Sequence, residues 1–132
     1  MRLTSAEIGY FEDYEDDEVL EVAFAGNDEA GTRRSFSFQR TTYEPEEQDV
    51  QCGMDSYCVS TERGGTSYGC VRRVRLEGTA LTIEFVPEDA DDLGFDPLVE
   101  IDLCGADVTG LGAKLRDVLD WGAQDERPDL HF

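Results

Sequence analysis

The sequence predicts an α+β fold: a mostly antiparallel curled sheet of six to eight strands, with one short helix and one C-terminal helix packed on it. Several segments alternate apolar and polar residues with the period of a half-buried strand. Only residues 107–121 repeat apolar residues at helical spacings of three and four. The alternation also predicts one dry and one wet sheet face, which a curled sheet with the C-terminal helix on its concave side satisfies.

Length and charge fit one small acidic domain. The 132 residues suffice for a single core, so we expect one domain over residues 1–132, with an acidic tail at about 122–132. Of the 31 acids and 11 bases, residues 1–50 hold 14 and 4, residues 51–85 hold 4 and 4, and residues 86–132 hold 13 and 3. Such a field repels nucleic acid and anionic membranes and speeds encounter with basic partners. Two rival explanations of the acidity are that it only keeps a small protein soluble and that it reflects a halophilic habitat.

The N-terminal third predicts three strands. Leu3–Phe11 alternates weakly and is expected at a sheet edge, whereas Val19–Ala25 and Arg33–Arg40 alternate clearly. Glu12–Glu18 should be an exposed loop, because six carboxylates in seven residues stay solvated and apart. Gly26–Gly31 has the composition of a turn. The side chains expected to face the core are Leu20, Val22, Phe24, Phe36 and Phe38.

The stretch Glu44–Gly69 interrupts this series of predicted strands. Its first half carries four carboxylates and a proline in six residues, which argues against a strand or a proper helix. Met54–Thr61 alternates and predicts a strand, and Glu62–Thr66 predicts a hairpin turn. We therefore expect an ordered acidic loop that is presented by a hairpin.

The second half of the chain predicts a hairpin, two helices and a last strand. The short helix follows from a proline at its first position, acids in its first turn and a glycine at its end. The C-terminal helix should lie across the sheet and cap one open face of the core. The predicted elements are the hairpin strands Tyr68–Leu76 and Thr79–Val86 around Glu77-Gly78, the short helix Pro87–Gly94, the strand Leu98–Leu103, the helix Asp107–Trp121 and a polar tail Gln124–Phe132.

Two patterns could carry chemistry, and each has a plainer explanation. Arg72, Arg73 and Arg75 could contact phosphate, but in a chain at −20 we expect them to pair with the neighbouring acidic loops. The acids of Asp89–Glu100 partly match the spacing of an EF-hand calcium loop. Leu93 and Pro97 occupy two of its ligand positions, however, and no paired helices flank it.

The sequence predicts a cytoplasmic protein without metal or cofactor. The N-terminus begins no apolar run and no stretch is long enough to span a membrane, so neither a signal peptide nor a membrane anchor is expected. In that reducing compartment the four cysteines should be thiols that serve packing, since none forms a Cys-x-x-Cys pair. They are Cys52, Cys58, Cys70 and Cys104.

No catalytic motif is present in the sequence. The only histidine, His131, is nearly at the end of the chain, and there is no phosphate-binding glycine loop. Glu46, Glu47, Asp49 and Asp55 could form an acid/base pair or a magnesium site, but nothing in the sequence indicates the apolar cleft that such a site needs. We therefore do not expect an enzyme.

Short motifs at fixed order and spacing resemble the immunity protein 10 family of bacterial polymorphic toxin systems. The resemblance covers the chain from about Val19 to Leu119. The residues that carry it are Glu47-Gln48-Asp49-Val50, Gly53-Met54-Asp55-x-Tyr57, Tyr68-Gly69, Leu76-x-Gly78-x-x-Leu81-Thr82 and the short helix Pro87–Gly94.

The resemblance implies a non-catalytic α+β protein that binds a cognate toxin domain in the cytoplasm and neutralises it. Many such toxins are nucleases or other basic enzymes, so an acidic inhibitor could occupy the active-site cleft. Tyr43 and Tyr57 are candidate aromatic anchors, with core packing as the alternative for Tyr57, and Asp49 could instead cap a turn. The contact residues expected on this basis are Glu12, Asp13, Tyr43, Glu44, Glu46, Glu47, Asp49, Asp55 and Tyr57.

Two other functions stay open from the sequence. An acidic mimic of nucleic acid would occupy the basic surface of a DNA-binding protein, and it would need carboxylates spaced like phosphates along an elongated face. A small enzyme would need a pocket with at least two carboxylates of strongly shifted pKa. The acidic inhibitor needs one compact patch.

Overall fold

The computed structural model describes residues 1–52 and 55–132, and these form nine strands and three α-helices. The strands are β1 (Arg2–Asp13), β2 (Val19–Asn27), β3 (Arg33–Thr41), β4 (Cys58–Thr61), β5 (Thr66–Tyr68), β6 (Val71–Glu77), β7 (Ala80–Phe85), β8 (Leu98–Asp102) and β9 (Asp129–His131). The helices are α1 (Glu47–Gln51), α2 (Pro87–Leu93) and α3 (Leu111–Leu119), with a 3₁₀ helix at Gln124–Glu126. The predicted α+β fold and its curled, mostly antiparallel sheet are confirmed, with nine strands instead of six to eight.

The sheet runs in the order β5-β4-β3-β2-β1-β8-β7-β6-β9 and does not close into a barrel. Two pairs are parallel, β1 with β8 and β6 with β9. The prediction that the first strand lies at an edge is wrong, since β1 is the fifth strand of the nine. Its alternation is weak because a bulge between Thr4 and Glu7, with Ser5 at φ 52°, shifts the register and lets one strand serve both halves of the sheet.

The core lies inside the curl. Pairing of Val22 with Phe38 and of Phe24 with Phe36 places both sets of apolar side chains on the inner face, as predicted. The ring of Phe36 lies 6.4 Å from that of Phe85 and 5.4 Å from that of Phe95, so strands β3 and β7 face each other across the interior. The large apolar side chains that β2, β3 and β7 bury in this core are Leu20, Val22, Phe24, Phe36, Phe38, Leu81, Ile83 and Phe85.

Helices α2 and α3 close opposite ends of this core. Arg34, near the start of β3, donates a hydrogen bond to the carbonyl of Gly94 just after α2 (3.1 Å). Arg40, near the end of the same strand, donates to the carbonyl of Asp117 in α3. Both helices were predicted, but α3 begins four residues later than expected, because Asp107 accepts the N–H of Thr109 and forms a turn instead.

The strand predicted over Tyr68–Leu76 is broken at Gly69-Cys70. Gly69 has a φ of 62°, and the chain passes here from edge strand β5 to strand β6 near the opposite edge. The strand predicted over Met54–Thr61 begins at Cys58, and Gly53 and Met54 lie outside the described residues. The predicted turns at 62–66 and 77–78 are present.

The chain end belongs to the sheet, which corrects the prediction of a polar tail. Residues 129–131 form β9 and pair in parallel with Arg73–Arg75. The hydroxyl of Tyr57 lies 3.0 Å from the carbonyl oxygen of Glu126, and the hydroxyl of Ser56 donates to the carboxylate of Glu126 (2.6 Å). These contacts join residues that are distant in sequence, so no local sequence pattern predicts them.

Two arginines of the cluster pair with acids on strands, and no ion pair of the described residues joins the cluster to the acidic loops that were expected to bind it. Arg73 lies 3.5 Å from Glu84 on β7, and Arg75 lies 3.9 Å from Glu77 on its own strand. The cysteines divide: Cys70 packs in the core as predicted, Cys58 is half-buried, and Cys52 and Cys104 are exposed.

Candidate functional site

Two acidic segments that are distant in sequence lie side by side. The first, Asp13–Glu18, joins β1 to β2, and the second, Tyr43–Val50, follows β3 and contains most of α1. They meet because β2 and β3 pair Val19 with Thr41, and because the N–H of Thr42 donates to the carbonyl of Glu18 (2.9 Å). We call these two segments together the acidic edge.

The first segment is ordered by its own turn. The carboxylate of Asp13 accepts the backbone N–H groups of Glu15 and Asp16, both at 3.0 Å. These hydrogen bonds, with that of Asp16 the strongest, lower the pKa of Asp13, so this group is charged at neutral pH. Glu18 has a φ of 52°, which turns the chain into β2.

The second segment ends in helix α1, which corrects the prediction that its acids prevent a helix. The backbone N–H of Glu46 donates to the carboxylate of Asp49 (2.9 Å), while the Glu46 side chain accepts the N–H of Asp49, forming a capping box. Carboxylates favour the first turn of a helix because free N–H groups and the helix dipole attract them. These acids therefore favour the start of a helix and do not prevent one.

The carboxylates of the acidic edge have no cationic partner within the described part of the chain. Neither segment contains a lysine or arginine, and no ion pair of the described residues involves either segment. Glu12, one residue outside, differs because it pairs with Lys114 of α3. The nine unpaired groups are Asp13, Glu15, Asp16, Asp17, Glu18, Glu44, Glu46, Glu47 and Asp49.

Apolar side chains stand among these charges. Tyr14 is 63% exposed, Val50 is 56% exposed and Tyr43 is 45% exposed, and all three belong to the acidic edge. Glu18, Tyr43, Glu46 and Asp49 line a shallow depression of about 450 Å³ where the two segments meet. The surface therefore combines dense negative charge with exposed rings and one branched aliphatic side chain.

The structure brings together most of the contact residues expected from the sequence, with three exceptions. Tyr57 is fully buried, and its hydroxyl accepts the N–H of Val71 (3.0 Å), so it packs the core as in its alternative assignment. Glu12 lies one residue outside the acidic edge and pairs with Lys114. Asp55 is half-buried beside Gly122, where its carbonyl accepts the N–H of Ala123 (2.9 Å).

Several edge residues were missing from the expected set. Tyr14 and Glu15–Glu18 were assigned only to an exposed loop, and Val50 was assigned no surface role. The one signal that could have found them is the register of β2 and β3, which places the start of one strand beside the end of the other. Periodicity alone does not supply a register.

The groups with the most strongly raised pKa are buried and do not form a reactive site. Burial raises the pKa of Cys70 to about 12 and raises that of Tyr57 further. Both side chains therefore stay protonated at neutral pH and offer no nucleophile or base there.

The described residues show no metal site and no membrane helix. No three His, Cys, Asp or Glu side chains of residues 1–52 and 55–132 converge so that they could hold a metal ion. Asp89, in the calcium-loop spacing noted above, instead accepts a hydrogen bond from the hydroxyl of Ser67 (2.8 Å). None of the helices in this part of the chain has the length and apolar character needed to cross a bilayer.

Comparison with known proteins gives one family. The sequence model of the family described as immunity protein 10 matches residues 4–109. No curated protein and no solved structure matched the chain. The family match includes β1 to β8, α1, α2 and both segments of the acidic edge, and ends before α3. Because it spans well over half of the sequence, this chain belongs to the immunity protein 10 family.

Proposed function

We propose that this protein is a cytoplasmic inhibitor that neutralises a cognate toxin domain of a polymorphic toxin system by covering it with the acidic edge. Membership of an immunity protein family implies a toxin as the binding partner. What we add is the surface that binds, the basic character of the toxin and the absence of any chemical step by the inhibitor.

The observation that carries this proposal is the set of nine carboxylates in the acidic edge that have no cationic partner among residues 1–52 and 55–132. Like charges held close together destabilise the free protein, and an approaching cationic surface relieves that repulsion. Among the other acids of the described residues, seven pair with a cationic group, as Glu84 does with Arg73, and the unpaired acids of α2 belong to one short helix.

The charges and the apolar side chains have different tasks in such a complex. Exposed charges at an interface mainly raise the association rate and exclude wrong partners. Buried aromatic side chains carry most of the binding free energy, and Tyr14 and Tyr43 are the exposed rings available for it. A toxin that binds phosphate groups, such as a nuclease, has a basic active-site cleft that this surface fits.

The shape of the edge favours an inhibitor over a mimic of nucleic acid. Its carboxylates come from two adjacent segments, and three of them line one depression, whereas a mimic needs them in a row along an elongated face. The compact patch suits one dedicated partner.

Co-expression tests the proposal. The toxin domain encoded by the neighbouring reading frame is induced in cells with and without this protein, and survival is counted. We expect protection from the native protein and weaker protection from a triple variant, E44Q/E46Q/E47Q. The matched control is E88Q/D91N/D92N, which removes three exposed acids from α2 and makes the same change in net charge. Absence of protection by the native protein contradicts the proposal.

A further inference from the structure

A pocket with three aromatic walls opens beside the acidic edge. It measures about 260 Å³ and is lined by Tyr43, Tyr68 and Trp121, which come from three separate parts of the chain. A water molecule takes about 30 Å³ of liquid volume, so the pocket has room for a group much larger than water. Tyr43 and Asp49 line both this pocket and the acidic depression, so the two adjoin.

The pocket walls are held in place by neighbouring groups. The guanidinium of Arg40 stacks on the ring of Trp121, with 5.4 Å between their centres. Two of its nitrogens already donate to the carbonyls of Asp117 and Thr41, so Arg40 braces the wall and is committed to the protein. The carbonyl of Tyr43 accepts the hydroxyl of Thr41 (3.0 Å), which fixes the backbone at the rim.

One carboxylate faces this aromatic pocket with an oxygen to spare. Oδ2 of Asp49 accepts the N–H of Glu46 (2.9 Å), and no hydrogen bond of the described residues involves its Oδ1. The pKa of Tyr68 is raised first by burial and then by its electrostatic interactions with Cys58 and Asp49. With Glu18 and Glu46 next to the opening, three carboxylates outnumber the one guanidinium of Arg40.

Building on the proposed function, we propose that this pocket receives a single arginine side chain of the toxin. The guanidinium pairs with Asp49, and its flat faces lie against the rings of Tyr43 and Tyr68. Arginine suits the pocket better than lysine, because it is planar, binds a carboxylate through two N–H groups and stacks on aromatic rings with little loss of hydration. A neutral side chain of the same shape would leave the carboxylate unpaired.

The first test needs no toxin. Trp121 is the only tryptophan of the chain, so its fluorescence reports directly on the pocket. The protein is titrated with N-acetyl-arginine amide and, separately, with N-acetyl-citrulline amide, which has the same shape without the charge. We expect a saturable change with the arginine probe and binding about tenfold weaker with the citrulline probe, the size of one charge-assisted hydrogen bond.

Two variants locate the effect. D49N keeps an oxygen that can accept the N–H of Glu46, and it should weaken the arginine probe about tenfold. D91N makes the same substitution at an exposed position of α2 that does not line the pocket, and it should leave the affinity unchanged. Equal affinities for the two probes, equal losses in the two variants, or no saturable change in fluorescence would each overturn the assignment.

A second test uses the toxin and separates this inference from the function on which it rests. Val19 is half-buried and lines the pocket, so V19F fills the space without changing any charge. We expect its dissociation constant for the neighbouring toxin domain to rise at least tenfold, with its melting temperature recorded as a folding control. If V19F and D49N both bind as tightly as the native protein, the pocket assignment fails while the immunity function stands. If the native protein does not bind the toxin, the proposed function fails, and the probe titration decides the pocket alone.

Discussion

Replacing Tyr57 by phenylalanine removes one hydroxyl that joins three parts of the fold. This hydroxyl accepts the N–H of Val71 (3.0 Å) and lies within reach of the carbonyls of Val71 (3.2 Å) and Glu126 (3.0 Å). The ring itself is fully buried and stays in place in Y57F. The variant therefore isolates the polar contacts that tie β4 to β6 and to the chain end.

The expected decrease in the free energy of unfolding is that of a buried donor left without its acceptor. Such a loss is about 1–3 kcal/mol, and we expect about 2 kcal/mol for Y57F, because the carbonyls have further lone pairs while the N–H of Val71 has one hydrogen. For a domain of this size, that corresponds to a melting temperature lower by about 8 °C. The ring fills the same volume, so no cavity contributes.

Urea unfolding, followed by the fluorescence of Trp121, measures this difference. The midpoint should fall while the slope of the transition stays the same, since the surface exposed on unfolding is unchanged. Y43F is the matched control: it removes a hydroxyl from an exposed tyrosine and should shift stability by less than about 0.5 kcal/mol. If Y57F loses no more than Y43F, the hydroxyl does not hold these segments together.

Three further predictions concern the core and the thiols. The free energy of unfolding should fall as pH rises above 9.0, because the thiol of Cys70 ionises near that pH in the unfolded chain but has a pKa of about 12 in the folded protein. Urea midpoints measured against pH test this, and they should change less with pH in C70A than in the native protein. A thiol reagent should label exposed Cys52 and Cys104 rapidly in the native protein and Cys70 only after unfolding, and peptide mass spectrometry would expose any other order. R34M should lose about 2 kcal/mol in urea unfolding, because it leaves Glu62 without its partner at 2.5 Å, whereas R75M, at an exposed pair, should change little.

The parts of the fold that the sequence predicts well are those with strong local periodicity. In β2 and β3, alternate residues point into the core, so Leu20 and Phe38 could be assigned before any pairing was known. Helix α2 carries proline at its first position and Gly94, with a φ of 74°, at its end, and both signals act within one turn of chain. Residues close together in sequence are therefore sufficient to predict such strands and helices.

The parts that escaped prediction depend on contacts between distant residues. Strand β9 has three residues and no pattern of its own; it forms because β6 offers an open edge. Tyr57 sits in an alternating segment that suits either a buried or an exposed side chain, and only the hydroxyl bonds to Val71 and Glu126 decide between them. The candidate site shares this limit, because two strands must pair before its two acidic segments can meet.

The pocket was the least predictable feature. Tyr68 and Trp121 stand 53 positions apart in the sequence, and neither belongs to a motif that indicates binding. Trp121 was assigned to the end of a helix that in fact stops at Leu119, which frees its ring to line the pocket. A difference of two residues at the end of this helix therefore separates a core position from one that lines a pocket.

The central claim is that fixed carboxylates of the acidic edge draw in a basic toxin. Stopped-flow association with the toxin domain, across a range of salt concentrations, tests it most directly. We predict that native protein associates fast at low salt and slows steeply as salt is added, and that E44Q/E46Q/E47Q associates about tenfold more slowly with a shallower salt dependence. E88Q/D91N/D92N should resemble the native protein. An association rate that does not change with salt concentration, or an equal decrease of that rate in both triple variants, would contradict the account.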